Sequence, residues 1–412
     1  MSFQSQKQVS GFTTQASYLV LALIICSMFS GIFYIVFNPF RLAFISNTLV
    51  GFLALNGILM IGFASVAVAF WHKLRIWPIE GLLFLSLVGS IVFSDYQKYS
   101  LTNIVIDLAR PALFLVVVIT IRSLVDLKTL SKSNLLHQVF VVNVYATVFS
   151  VVVCYVINAY VVPLYPAYST IDSVLGMGWL VATQSPVIQA LYGIVLIASG
   201  KRGVYIAVGL AILIAYRTKE VFWVLLCAVG VISVLIMIIF PELQNQLQAF
   251  LFKGAVDLNR LSVTDILRFL AGGRLEEIEG ALAASEGSTR YLFGASLGFE
   301  YPSAAFPDDG DSHRNLHFTP AGIVVYYGGI FAFFLVIYFA RIARIAFKLT
   351  LDKKNPTLLA YSVYFISSLI FSMTEYSIFV YLNLAVSCGL LGAATRQFGY
   401  RAVAGSDLGK RT

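Results

Sequence analysis

The run AGIVVYYGGIFAFFLVIYFA, residues 321–340, holds no charged side chain in twenty positions. A helix rises about 1.5 Å per residue, so about 20 apolar residues cross the roughly 30 Å hydrocarbon core of a bilayer. The stretch therefore predicts a transmembrane helix, and the composition extends that reading to the rest of the chain. Of 412 residues, 59% are hydrophobic and only 12% are charged. A soluble domain carries roughly twice that charged fraction. Mean hydropathy is +0.86. The expected fold class is an all-α polytopic membrane protein with one large extracytoplasmic loop.

Working outward, apolar runs predict spans near 17–37, 46–71, 78–93, 104–122, 135–160, 203–216, 221–240, 320–341, 356–373 and 377–395. The first run is longer than a signal-peptide core and lacks a small-residue cleavage site, so it reads as a retained span. Lys and Arg concentrate on cytoplasmic loops. The basic clusters are HKLR (Lys73, Arg75), RSLVDLKTLSK (Arg122, Lys128, Lys132), YRTKE (Arg217, Lys219), RIARIAFKLTLDKK, and the tail with Arg396, Arg401, Lys410 and Arg411. Placing all of them inside makes both termini cytoplasmic. It also requires an odd number of crossings between residue 160 and YRTKE. The region 165–216 is accordingly split into three spans, near 168–183, 186–199 and 202–216, with TQSP as a tight turn. Ser185 suits a helix cap there and Pro186 a first helical position. The total is twelve.

The resulting organisation is residues 1–240 with spans one to nine, 241–319 as a periplasmic loop with short surface helices, 320–395 with spans ten to twelve, and 396–412 as a cytoplasmic tail. The loop holds 11 of the chain's 20 acidic residues. Within it, RLEEIEGALAAS has helical periodicity, with Leu275, Ile278 and Leu282 on one face, and Gly272–Gly273 break the chain just before. The four cysteines lie in apolar runs without paired spacing, which suggests neither a disulfide framework nor a zinc site. No fixed-period repeat is visible. The basic balance, +8 overall, reads as a topology signal rather than a nucleic-acid surface.

Several polar residues gather at the expected outer boundary. His313 and His317 are four apart in SHRNLHFTP. Their spacing invites a metal reading, but the glutamate of an H-E-x-x-H site is absent. Thr319 and Pro320 read as the cap and first turn of the tenth span, which sets His317 just outside a helix start. It is a general-base candidate, against the plainer reading of a polar loop residue. In SGKRGVYIA, Lys201 and Arg202 sit between apolar runs. If that turn is outside, Arg202 suits a phosphate or diphosphate. If the split is wrong, the turn is an ordinary cytoplasmic one. Arg274 opens a helix after two glycines. Arg290 precedes YLFGASLGF, where Gly294 and Gly298 permit tight turning or close backbone approach. Asp107 and Arg110 read most simply as an intrahelical ion pair, with a functional part as the alternative; Glu375 is similar. Arg314 adds a cation beside His313. Tyr291, Phe299, Tyr301 and Phe306 give the acidic loop ring faces for stacking on a ligand.

The order of three motifs resembles the O-antigen polymerase and O-antigen ligase superfamily of bacterial polysaccharide assembly. They are SGKRG at 199–203, GGRLEEIEGAL…RYLFGASLGF across 272–299, and LHFTPAGIVVYYGGI at 316–330. His317 has the family's spacing of eleven residues to Gly328; His313 does not. Departures are Ile278 where the family usually has tryptophan, the looser GASLG, and Phe318 after the histidine. The likeness covers residues 184–330. It implies a fold similar to the GT-C glycosyltransferases, no metal or other cofactor, and catalytic roles for His317, Arg202 and Arg274. Lys201, Arg290, His313, Arg314, Tyr291 and Glu375 fall around them as expected substrate-binding residues. The implied activity is polymerisation of undecaprenyl-diphosphate-linked repeat units at the periplasmic face of the bacterial inner membrane. Membrane lipids, a chain-length regulator and a flippase are the expected partners. The alternatives are a ligase that moves the glycan to lipid A–core and, in a different class, a polysaccharide transporter. The transporter reading calls for ionisable groups deep within several spans and an internal repeat.

Overall fold

The computed structural model describes residues 15–26, 57–94, 98–127, 274–285, 288–301, 319–349, 356–374 and 382–397, with isolated positions elsewhere. Among the described residues the chain is helical, without strands. In order, the elements are α1 (Gln15–Cys26), α2 (Ile58–Ala69), α3 (Pro78–Val92), α4 (Leu101–Leu124), α5 (Arg274–Ala284), α6 (Ser288–Phe293), α7 (Thr319–Leu349), α8 (Pro356–Thr374) and α9 (Asn383–Gln397). Two of these, α4 and α7, are long and apolar enough to cross a membrane. At 24 residues, α4 extends about 36 Å.

The expected starts of the third, tenth and eleventh spans fall where local chemistry puts them. Pro78 and Pro356 open α3 and α8, where a missing N–H costs nothing. In α3 the Glu80 carboxylate also accepts the Trp77 N–H at 2.8 Å, satisfying one of the orphan donors of the first turn. Thr319 and Pro320 begin α7. The expected spans at 135–160, 168–183, 186–199, 202–216 and 221–240 lie outside the described residues, apart from isolated positions. The same holds for parts of the first two and the twelfth.

Two expectations change. The tenth span does not give way to a loop at residue 341. The basic run RIARIAFKL continues α7 to Leu349, because its apolar residues keep helical spacing. Ile342, Ala346 and Leu349 are buried while Arg341, Arg344 and Lys348 stay outside. In α5 the packed face is also different. Glu277, Ala281 and Ser285 are buried at four-residue intervals, whereas Leu282 is 42% exposed. The small side chains of Ala281 and Ser285 suit the inward face of a helix that packs on α7.

The core is built on α4, which packs against α2, α3 and α9, and on α7, which packs against α3, α6, α8 and α9. α9 approaches α4 closely through small residues. A Cβ on Gly389 would meet the Ile121 side chain at 2.7 Å, and one on Gly392 the Arg122 side chain at 2.8 Å. Close packing of this kind drives helix association where no hydrophobic force acts between helices. At its C-terminal end α4 is held to α1, where the Ser17 hydroxyl donates to the Leu124 carbonyl and accepts the Asp126 N–H.

The bundle has two distinct ends. The start of α3 and the ends of α4, α7 and α9 meet at a basic end, with Arg75, Arg122, Arg341 and Arg396. There Glu80 and Arg122 form a buried, bidentate ion pair, with an Nη2–Oε2 distance of 2.8 Å. Arg122 also donates to the Arg75 carbonyl. The opposite end gathers the end of α3, the start of α4, the segment after α6 and the first turns of α7.

Candidate active site

The opposite end is organised by a break in α7. Gly328 has φ 84° and ψ 167°, a conformation essentially closed to residues with a Cβ. The break lets α7 and the segment leaving α6 touch backbone to backbone. A Cβ on Gly328 would lie 2.2 Å from the Leu292 carbonyl oxygen, and one on Gly294 would lie 2.3 Å from that of Tyr326. Near the break, two α7 carbonyls find partners outside the helix. The Ala295 N–H donates to Val325 at 2.6 Å, and the Ser90 hydroxyl donates to Tyr327 at 2.9 Å. Buried irregular backbone is tolerated where neighbouring elements satisfy its polar groups in this way.

The segment 294–301 is then tied to α3 and α4. The Leu297 N–H donates to the Ser94 hydroxyl at 3.1 Å. The Gly298 N–H donates to Asp107 Oδ2 at 2.8 Å. Arg110 lies 3.7 Å from the other oxygen of that carboxylate, the expected intrahelical pair. The Tyr327 hydroxyl donates to the Asp107 carbonyl at 2.9 Å, joining α7 to the same point of α4. Asn103 donates to Glu300 at 2.8 Å. Phe93 stacks on Phe293 with ring centroids 4.2 Å apart.

Two of the three motif segments therefore meet: YLFGASLGF lies against VVYYGG, the close backbone approach that Gly294 and Gly298 permit. Arg274 is the first residue of α5, and Arg290 lies in α6 beside Tyr291, which is 54% exposed. His317 and His313, Arg314, Arg202 and Lys201, and Glu375 lie outside the described residues. The positions flanking the histidine motif, Leu316 and Thr319, are both fully buried. Among the described residues no three His, Cys, Asp or Glu side chains come together.

One expectation is corrected. Phe299 and Tyr301 are 1% and 0% exposed, so they offer no ring face to a sugar. They stack on each other, and Phe299 meets Tyr99 and Tyr326 edge-on. Their burial follows from the tethers on either side, which turn the segment inward. Phe306 lies outside the described residues. The residues that sequence reasoning passed over are Ser90, Ser94 and Tyr327. Serines inside an apolar helix usually bond their own preceding turn, so nothing in their spacing marks a cross-helix role.

The arrangement does no bond-making by itself. It supplies a rigid, hydrogen-bonded floor from α3, α4 and α7, of the kind that holds reacting groups in place on neighbouring segments. No protein-family model matches the chain, and no curated protein does either.

Proposed function

We propose that the chain is a polytopic lipid-linked glycosyltransferase of the GT-C kind, with twelve spans and its site on the periplasmic side of the bacterial inner membrane. It polymerises undecaprenyl-diphosphate-linked oligosaccharide repeat units of an O-antigen or exopolysaccharide. The observation that carries this reading is the backbone contact between the 294–298 and 325–328 segments. Two motifs that resemble those of polysaccharide polymerases, and are separated by the acidic stretch 302–315, are joined at one end of the bundle.

In this mechanism His317 takes the proton from the acceptor hydroxyl as its oxygen attacks the anomeric carbon of the donor. Arg202 and Arg274 hold the diphosphate and balance the charge that develops as it leaves. A diphosphate is a good leaving group, so positioning and charge stabilisation carry the step without a metal. Lys201, Arg290, His313, Arg314, Tyr291 and Glu375 surround the substrate. A chain-length regulator and a flippase act beside it.

The test is glycan chain length on a gel, in a deletion strain complemented with each variant. A general base contributes typically 10²–10⁴-fold, so His317→Ala should leave single-repeat products, while His313→Ala should still build a ladder. A ladder in His317→Ala and none in His313→Ala would reverse the two assignments. Wild-type chain that restores transfer to lipid A–core without lengthening the glycan would make it a ligase.

A further inference from the structure

At the basic end, opposite the candidate active site, a cavity of about 230 Å³ is lined by Arg75, Trp77, Arg122, Arg341, Gly392 and Arg396, among others. Its cations are arranged by the fold. The guanidinium carbons of Arg122 and Arg341 lie 4.0 and 4.2 Å from the centroid of the Trp77 ring, so one indole positions both. Arg396 is held by the Ser123 and Val125 carbonyls at 2.5 and 2.9 Å. The neighbouring carboxylates are Glu80, paired with Arg122, and Asp126, within electrostatic reach of Arg396. Four guanidiniums face two carboxylates, and the excess is positive.

The cations differ in what they leave for a ligand. Arg122 and Arg396 are committed to Glu80 and to backbone carbonyls, whereas Arg75 and Arg341 are exposed at the cavity, and guanidiniums in excess suit an acceptor with several oxygens. The surface beside the cavity says what such an acceptor is attached to. On α7, Ile337 lies one turn before Arg341 on the same face, and Val336 and Phe333 follow further along; all three are exposed. Ile76, next to Arg75, is exposed as well. Exposed apolar side chains therefore lie beside the cations over the two turns of α7 that precede Arg341.

We infer that this cavity binds the phosphate of an anionic glycerophospholipid, with the acyl chains lying along the exposed stripe of α7. Basic pockets between helices at the cytoplasmic face take such headgroups. The inference is independent of the glycosyl-transfer reading, since it uses none of the residues placed in that mechanism.

The experiment uses the full chain in nanodiscs of equal phosphatidylglycerol and phosphatidylethanolamine, followed by native mass spectrometry of the released protein. Phosphatidylglycerol should be retained in preference. Arg341→Gln and Arg75→Gln, both at exposed positions, should each cut its retention about tenfold, the loss of one charge-assisted hydrogen bond. Arg344→Gln, exposed on α7 but outside the cavity, should leave it unchanged. Equal retention of the two lipids would overturn the inference, as would an equal fall in Arg344→Gln. Inorganic phosphate at millimolar concentration is the second arm. If it displaces the lipid and stabilises delipidated protein to the same degree, the site is one for free phosphate and the lipid assignment fails.

Discussion

Replacing Asp107 by alanine would strand the buried Gly298 N–H, which now has an acceptor at 2.8 Å, and would remove the carboxylate 3.7 Å from Arg110. A buried donor left without its partner costs about 1–3 kcal/mol. Asp107→Ala should therefore lower the melting temperature in detergent by several degrees, and Asp107→Asn, which keeps an acceptor oxygen, by clearly less. Indistinguishable melting of wild type and Asp107→Ala would mean that the carboxylate does not anchor the 294–301 segment. Half of this residue's role was legible in the sequence. A three-residue spacing on a helix brings side chains together, so the pairing with Arg110 could be read directly. The Gly298 partner is 191 residues away. No local pattern encodes a contact across that distance. The same limit applies to Phe299 and Tyr301: their aromatic character was plain, but which way the rings face depends on tethers contributed by α3 and α4.

At the scale of the helix, α7 shows which boundaries a sequence reveals. Its start was readable because Thr319 and Pro320 act through local backbone chemistry. Its end was not, because Arg341, Arg344 and Lys348 read as a loop by charge, although they are one face of a continuing helix. Its break was half readable. Paired glycines mark a place where the chain can depart from the helix, but only the arrival of Leu292 and Gly294 shows that it does. Gly328→Ala should be severe, since the backbone conformation alone costs about 1–3 kcal/mol for a residue with a Cβ. The contact with the Leu292 carbonyl adds to that. Gly329→Ala is the comparison, because its Cβ would meet the Tyr291 carbonyl oxygen at 3.0 Å and nothing nearer. Thermal unfolding of the two purified variants should separate them, with Gly328→Ala far the less stable. Equal stability would show that α7 can run unbroken through this position.

Among the described residues the bundle is polarised, with Arg75, Arg122, Arg341 and Arg396 gathered at one end and the glycine-rich contact at the other. Under the proposed function these ends face opposite sides of the membrane. With the native cysteines replaced, a cysteine at Tyr291 should react with an impermeant thiol reagent on intact cells, and one at Arg344 only after permeabilisation. The reverse pattern would invert the topology and put the candidate site in the cytoplasm. The orientation expected from the sequence rests on a sum over many loop charges, which is what the labelling experiment tests, and the expected spans between residues 135 and 240 lie outside the described residues. The buried pair of Glu80 and Arg122 also bears on how such a molecule is made. A buried charge left without its counter-ion is strongly destabilising, by about 3–5 kcal/mol. The helices of the pair are consecutive, joined by only the eight residues 93–100, and each holds the counter-ion of the other. Either helix folded without the other would carry an uncompensated buried charge. The pair thus makes the α3–α4 hairpin, rather than the single helix, the smallest piece of the bundle that closes upon itself.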